Sequence, residues 1–152
     1  MANVMTIDEI LDFAIDSEQA AIELYVALAA TTRRQAMKAV FEAFAEEERK
    51  HKKLLFSVKE GNRVLKPGAE PVVDLKISDY TVGDTPDPDA DYQTILLFAM
   101  KKEKAAFRLY TNLAAQVDDA GVRDMLLGLA QEEAKHKLYF ETEYDEVILR
   151  DN

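Results

Sequence analysis

A chain of 152 residues, 48% hydrophobic and 32% charged, is long enough for one domain around a single buried core and has the balance of an ordinary globular protein. Its formal net charge of −10 argues against a nucleic-acid partner or an anionic membrane surface, either of which calls for a basic patch. With no cysteine at all, disulfides, thiolate metal sites and iron–sulfur clusters are excluded.

Residues 1–9 contain neither a basic region nor an apolar stretch, so they do not read as a signal peptide, and a cytoplasmic location is expected. The first helix is predicted to start at Thr6. Thr6-Ile7-Asp8-Glu9 is a capping box, and Met5 and Ile10 are spaced for a hydrophobic staple. Its inner stripe reads Leu11, Ala14, Ile15, Glu18, Ala21, Ile22, Tyr25, Leu28, Ala29, a spacing of three and four. A turn near residues 31–34 leads to a second helix with Met37, Phe41, Phe44, Glu48, His51 and Leu55 inward.

All four prolines and three of the five glycines then fall within residues 61–88, which mark a crossover between two halves. Residues 72–77 inside it read either as extended chain or as a segment packed on the bundle. The third helix is capped by Asp89 or Asp91, and its stripe is Leu96, Ala99, Met100, Glu103, Ala106, Phe107, Tyr110, Leu113, Ala114. Its apolar run from Ile95 to Met100 is far too short to span a bilayer. A turn at residues 117–121 gives a fourth helix, to about Ile148, with Met125, Leu126, Leu129, Glu133, His136 and Phe140 inward. The expected architecture is all-α: one domain over residues 1–152, made of two helical hairpins, about 6–60 and 89–148. The long crossover allows the second and third helices to run parallel.

The halves form an internal repeat. Glu48-x-x-His51 recurs as Glu133-x-x-His136, Glu18 as Glu103 and Tyr25 as Tyr110, each 85 residues on. Residues three apart share a helix face, so each Glu-x-x-His can address one point. Glu18 and Glu48 lie at similar distances either side of the first turn, as Glu103 and Glu133 do about the second, so all six side chains fall at one level. Buried carboxylates without a partner cost several kcal/mol or take up protons, so four of them require positive charge. Two divalent cations balance four carboxylates and two neutral imidazoles. Mixed oxygen and nitrogen ligation suits iron or manganese, and zinc can enter by affinity. Tyr25 and Tyr110 are placed to donate hydrogen bonds to the ligand carboxylates. Glu47 and Glu132 are each placed to accept from the imidazole of the opposite hairpin.

These residues, Glu18…Tyr25, Glu48-x-x-His51, Glu103…Tyr110 and Glu133-x-x-His136, resemble the ferritin-like di-iron carboxylate superfamily, and most closely its rubrerythrin branch. The resemblance implies a ferritin-like four-helix bundle holding two iron ions. It implies bridging roles for Glu48 and Glu133, terminal or flexible roles for Glu18 and Glu103, and one nitrogen from each of His51 and His136. It further implies reduction of peroxide or dioxygen in a homodimer. Rubrerythrins usually carry a rubredoxin domain with two Cys-x-x-Cys pairs; without cysteine, this chain is expected to lack one and to need an external donor such as a rubredoxin. They also tend to carry a further glutamate three residues after the first ligand of the third helix, where this chain has Ala106. The six-ligand set is closer to that of bacterioferritin, which leaves a ferroxidase or iron-handling role as the alternative. A metal-stapled bundle without catalysis is the third.

Overall fold

The computed structural model describes residues 6–61, 80, 82–84, 86–87 and 90–149. Four long helices make up most of them: α1 (Ile7–Thr31), α2 (Gln35–Lys59), α3 (Tyr92–Ala114) and α4 (Ala120–Tyr144). Where the fourth helix was expected to reach Ile148, α4 passes after Tyr144 into a π-helical turn, Asp145–Leu149. Among the described residues there is no strand.

The helix starts follow local chemistry. Thr6 accepts from the Glu9 amide at 3.1 Å and Glu9 accepts from the Thr6 amide at 3.0 Å, completing the capping box. Asp91 caps α3 by accepting from the Thr94 amide at 2.8 Å. Asp119 caps α4 through the Val122 amide at 2.9 Å, so the second turn ends two residues earlier than expected. Met5 of the expected staple, Asp89 and the 72–77 segment lie outside the described residues.

α1 packs along α2 and α3 along α4, and the hairpins meet through α1 against α3 and α2 against α4. Tyr25 reaches Glu103 while Tyr110 reaches Glu18, a crossing that makes α1 and α3 antiparallel. With each hairpin antiparallel in itself, α2 and α3 run parallel, as a long crossover allows. At one end of the bundle Arg34 lies over the Tyr92 ring, 5.3 Å from its centroid, and Tyr92 donates to Glu143 at 2.6 Å. The first turn, the start of α3 and the end of α4 are thereby tied together.

The apolar core is divided by the polar layer. On one side lie Ile10, Leu11, Leu55, Leu113, Leu126 and Leu129. On the other lie Leu28, Phe41, Leu96 and Phe140 around Tyr25. Each large side chain so buried contributes about 1.5–3 kcal/mol. The α3 stripe departs from expectation at Phe107, which is 37% exposed, while Phe98 and Leu109 are buried in its place. The cause is that α3 faces two helices. The arc between α1 and α4 takes in Phe98 and Leu109 and leaves Phe107 on the outer margin.

Candidate metal centre

Six polar side chains are buried among the described residues: Glu18, Glu48, His51, Glu103, Glu133 and His136, each between 1% and 5% exposed. α1 supplies Glu18, α3 supplies Glu103, and α2 and α4 each supply a glutamate with a histidine one turn later. The three-residue step places both side chains of each Glu-x-x-His on the inner face.

The six converge. His51 Nδ1 lies 2.9 Å from Glu48 Oε1, 3.4 Å from Glu18 Oε2 and 3.4 Å from Glu133 Oε1. His136 Nδ1 lies 3.2 Å from Glu103 Oε2 and 3.5 Å from Glu133 Oε1. Despite these approaches, one polar atom of each residue has no hydrogen-bond partner: Glu18 Oε1, Glu48 Oε1, His51 Nδ1, Glu103 Oε2, Glu133 Oε1 and His136 Nδ1. Buried polar atoms are almost always satisfied, so six orphans gathered at one place fit ligand atoms that share a cation. They fall into two sets, each with its ligand atoms within 4.8 Å of one another: Glu18, Glu48, His51 and Glu133, and Glu48, Glu103, Glu133 and His136. Glu48 and Glu133 belong to both. A pair of divalent ions fits this donor set, whose mixed carboxylate oxygen and imidazole nitrogen suit iron or manganese.

The protonation energetics agree. Burial, followed by the charges of Glu18 and Glu103, raises the Glu48 carboxyl from 4.5 to about 8. Burial together with Glu103, Glu48 and Glu18 holds Glu133 well above the usual range. Burial opposes protonation of His51, but the adjoining Glu18 and Glu48 outweigh it and raise the imidazole to about 10. His136 is raised against the same penalty to about 9, chiefly by Glu103. Without a cation the cluster gathers protons, which a bound metal replaces.

The surrounding groups divide unequally. Tyr25 donates to Glu103 Oε1 at 2.5 Å and Tyr110 donates to Glu18. Burial and the nearby carboxylates keep both phenols well above their ordinary pKa, so both remain donors. Glu47 lies 3.1 Å from His136 Nε2, across the hairpins as expected. Glu132, its repeat partner, instead lies 3.8 Å from Lys135 in the adjoining turn, and among the described residues it makes no bond to His51. The helical repeat places Glu132 on the expected face, but its side chain lies beside Lys135, although Glu47 has Lys50 at the same spacing and still reaches His136.

Two neighbours were not singled out in the sequence. The Phe44 ring stacks on His136, 4.0 Å between centroids and 23° between planes. Phe44 belongs to the expected inner stripe, but only the packing of α2 on α4 shows what it covers. Lys102 is half-buried beside the cluster. Burial lowers its pKa, while Glu103, Glu18, Glu48 and Glu133 act in the opposite sense. Its repeat partner is Ser17, so the repeat carries no sign of it.

Fold and site together define a ferritin-like helical bundle with a buried carboxylate–histidine site for metal. Residues 9–82 match the family model of rubrerythrin, and the chain is a rubrerythrin-like protein of that ferritin-like class. The matched stretch, just under half the chain, carries Glu18, Tyr25, Glu47, Glu48 and His51; the other half of the site enters through the repeat. Among solved structures, a hypothetical protein from Pyrococcus furiosus superposes with a TM-score of 0.71 at 28% identity, covering 91% of this chain and 87% of that one. No curated protein gave a match. The 152 residues contain no cysteine and so no Cys-x-x-Cys pair of a rubredoxin. Among the described residues no helix is long and apolar enough to cross a membrane.

Proposed function

We propose that this protein is a di-iron oxidoreductase that reduces peroxide or dioxygen with electrons from a separate donor such as a rubredoxin. The observation that carries the reading is the two overlapping sets of buried, unpartnered ligand atoms. Glu48 and Glu133, common to both sets, would bridge. Glu18 with His51 and Glu103 with His136 would complete one position each. Two iron ions held there would supply two electrons together with Lewis acidity at one place.

The chain's own groups would prepare that chemistry. Tyr25 and Tyr110 hold the two terminal carboxylates from opposite hairpins, which orients them before a substrate arrives. Burial of all six ligands keeps bulk water from the site and strengthens its electrostatics. We further propose a homodimer, by the prevalence of two-fold assemblies, and a cytoplasmic location.

Rapid mixing of the diferrous protein with hydrogen peroxide tests this reading. Oxidation is expected to outrun that in buffer without oxidant, and equal rates would remove the peroxidase function. One observation favours a ferroxidase as the second reading: Ala106 offers no seventh ligand in its half-buried position on α3. Faster oxidation by dioxygen than by peroxide, with iron then released or accumulated, would select it. If protein purified without chelators holds no metal, and ferrous iron leaves its thermal stability unchanged, both readings fail.

A further inference from the structure

The 85-residue repeat makes the two metal positions equivalent in sequence, yet the structure supports them unequally. His136 is held on both sides. Its Nε2 lies 3.1 Å from a Glu47 oxygen, and its ring is stacked on Phe44 at 4.0 Å. Among the described residues His51 shows neither support. The repeat counterpart of Glu47 is Glu132, which lies beside Lys135, and that of Phe44 is Leu129. The only ring paired with His51 among the described residues is His136 itself, 6.5 Å away.

We propose that the position formed by Glu103 and His136 binds its metal ion first and more tightly, and that Glu47 is the positioning residue that sets this order. This rests on the di-metal reading of the site. With Nδ1 turned to the cluster, His136 must carry its proton on Nε2, and Glu47 accepts that hydrogen. The bond selects the tautomer, fixes the ring plane and makes Nδ1 a stronger donor to a cation. Phe44 removes the ring's freedom to swing, so less conformational entropy is lost when metal binds. The His51 imidazole faces only the cluster carboxylates among the described residues, with no such partner behind it. The two bridging glutamates serve both positions and do not discriminate. The Lys102 charge acts on all four glutamates and weakens both positions. Partners of a metal-bound histidine typically change affinity by about 10–100-fold, so dissociation constants separated by a factor in that range are expected. At limiting supply the protein then holds one ion, and a different metal can take the second place.

Calorimetric titration of the metal-free full chain with zinc(II), which is redox-inert, reads this directly. Two steps are expected, with the first about 10–100-fold tighter. Glu47→Ala, at a partly exposed position, should weaken the first step until the two merge, whereas Glu132→Ala should leave both unchanged. His51→Gln should keep the tight step and lose the weak one, and His136→Gln the reverse. Anomalous scattering from crystals holding one zinc per chain should place it beside His136. Equal steps in the wild type, equal effects of the two glutamate variants, or first occupancy beside His51 would overturn the order while leaving the di-metal reading intact. Absence of any binding would overturn both.

Discussion

Tyr25 on α1 donates its hydroxyl to Glu103 on α3, and Tyr110 on α3 donates to Glu18 on α1. Each tyrosine therefore serves the carboxylate of the other hairpin, so the same pair of bonds joins the two halves of the repeat and orients two of the four carboxylates. Folding of the bundle and shaping of the site are coupled through these two contacts.

Replacing either tyrosine with phenylalanine leaves a buried carboxylate oxygen without its donor. Each change should destabilise the metal-free protein by about 1–3 kcal/mol. At about 2–4 °C per kcal/mol for a chain near this size, the loss is readable by circular dichroism. Zinc affinity should fall in both variants. An unchanged melting temperature and unchanged affinity would mean that the bonds neither support the fold nor orient a ligand.

The cluster's protonation gives the metal-free protein an unusual pH dependence. Glu48 is raised from 4.5 to about 8, His51 from 6.5 to about 10 and His136 from 6.5 to about 9. A group raised on folding contributes stability that is fully present below its unfolded pKa and lost as pH rises through its folded value. Metal-free protein should therefore lose stability between about pH 4.5 and 10, first through Glu48 and then through the histidines. Denaturant unfolding at pH 5.5 and pH 9, wild type against Glu48→Gln, isolates the carboxylate's share. The variant should show the shallower fall, and parallel profiles would remove Glu48 as its source.

Metal uptake must run in the opposite direction with pH. Because bound protons are displaced, zinc affinity should rise from pH 6 to pH 8 with proton release, measured by titration in buffers of different ionisation enthalpy. Affinity independent of pH and buffer would contradict the proton-filled cluster.

The two carboxylates common to both ligand sets should trade stability against binding. Glu48→Gln and Glu133→Gln remove a charge from a crowded group, so above pH 8 the metal-free variants should melt no lower than wild type. The wild type should gain about 2.7 kcal/mol at a free metal concentration of 100 times Kd, and the variants should lose most of that gain. Full metal-induced stabilisation in both variants would show that neither residue bridges.

Position 106 discriminates between the two proposed reactions. Ala106→Glu supplies a carboxylate on α3 one turn after Glu103, where it adds charge to a half-buried site. The metal-free variant should be less stable. With iron bound, the ratio of peroxide to dioxygen oxidation rates should rise, as stopped-flow absorbance would show. A fall in the ratio, or none, would separate that position from the choice of oxidant.

The sequence alone determined four helices and the six inward polar residues. That information is local: a period near 3.6 puts Glu18 on the face of Leu11 and Leu28, and three residues put His51 above Glu48. The repeat then made the two half-sites visible, because its offset aligns glutamate with glutamate and histidine with histidine. Contacts between helices were not legible in this way. Periodicity says which way a side chain points along its own helix, but how each helix is rotated and which neighbour it meets depend on packing across the bundle. Tertiary structure alone decided that Tyr25 serves Glu103 and that Phe107 lies on the outer margin while Leu109 turns inward. It also decided that Glu132 lies beside Lys135 and not His51, while Glu47 reaches His136 as its place in the repeat allows. Two halves alike in sequence are unlike in structure around the same polar layer, because Phe44 lays an aromatic ring on His136 where the repeat carries Leu129, which has no ring to stack on His51.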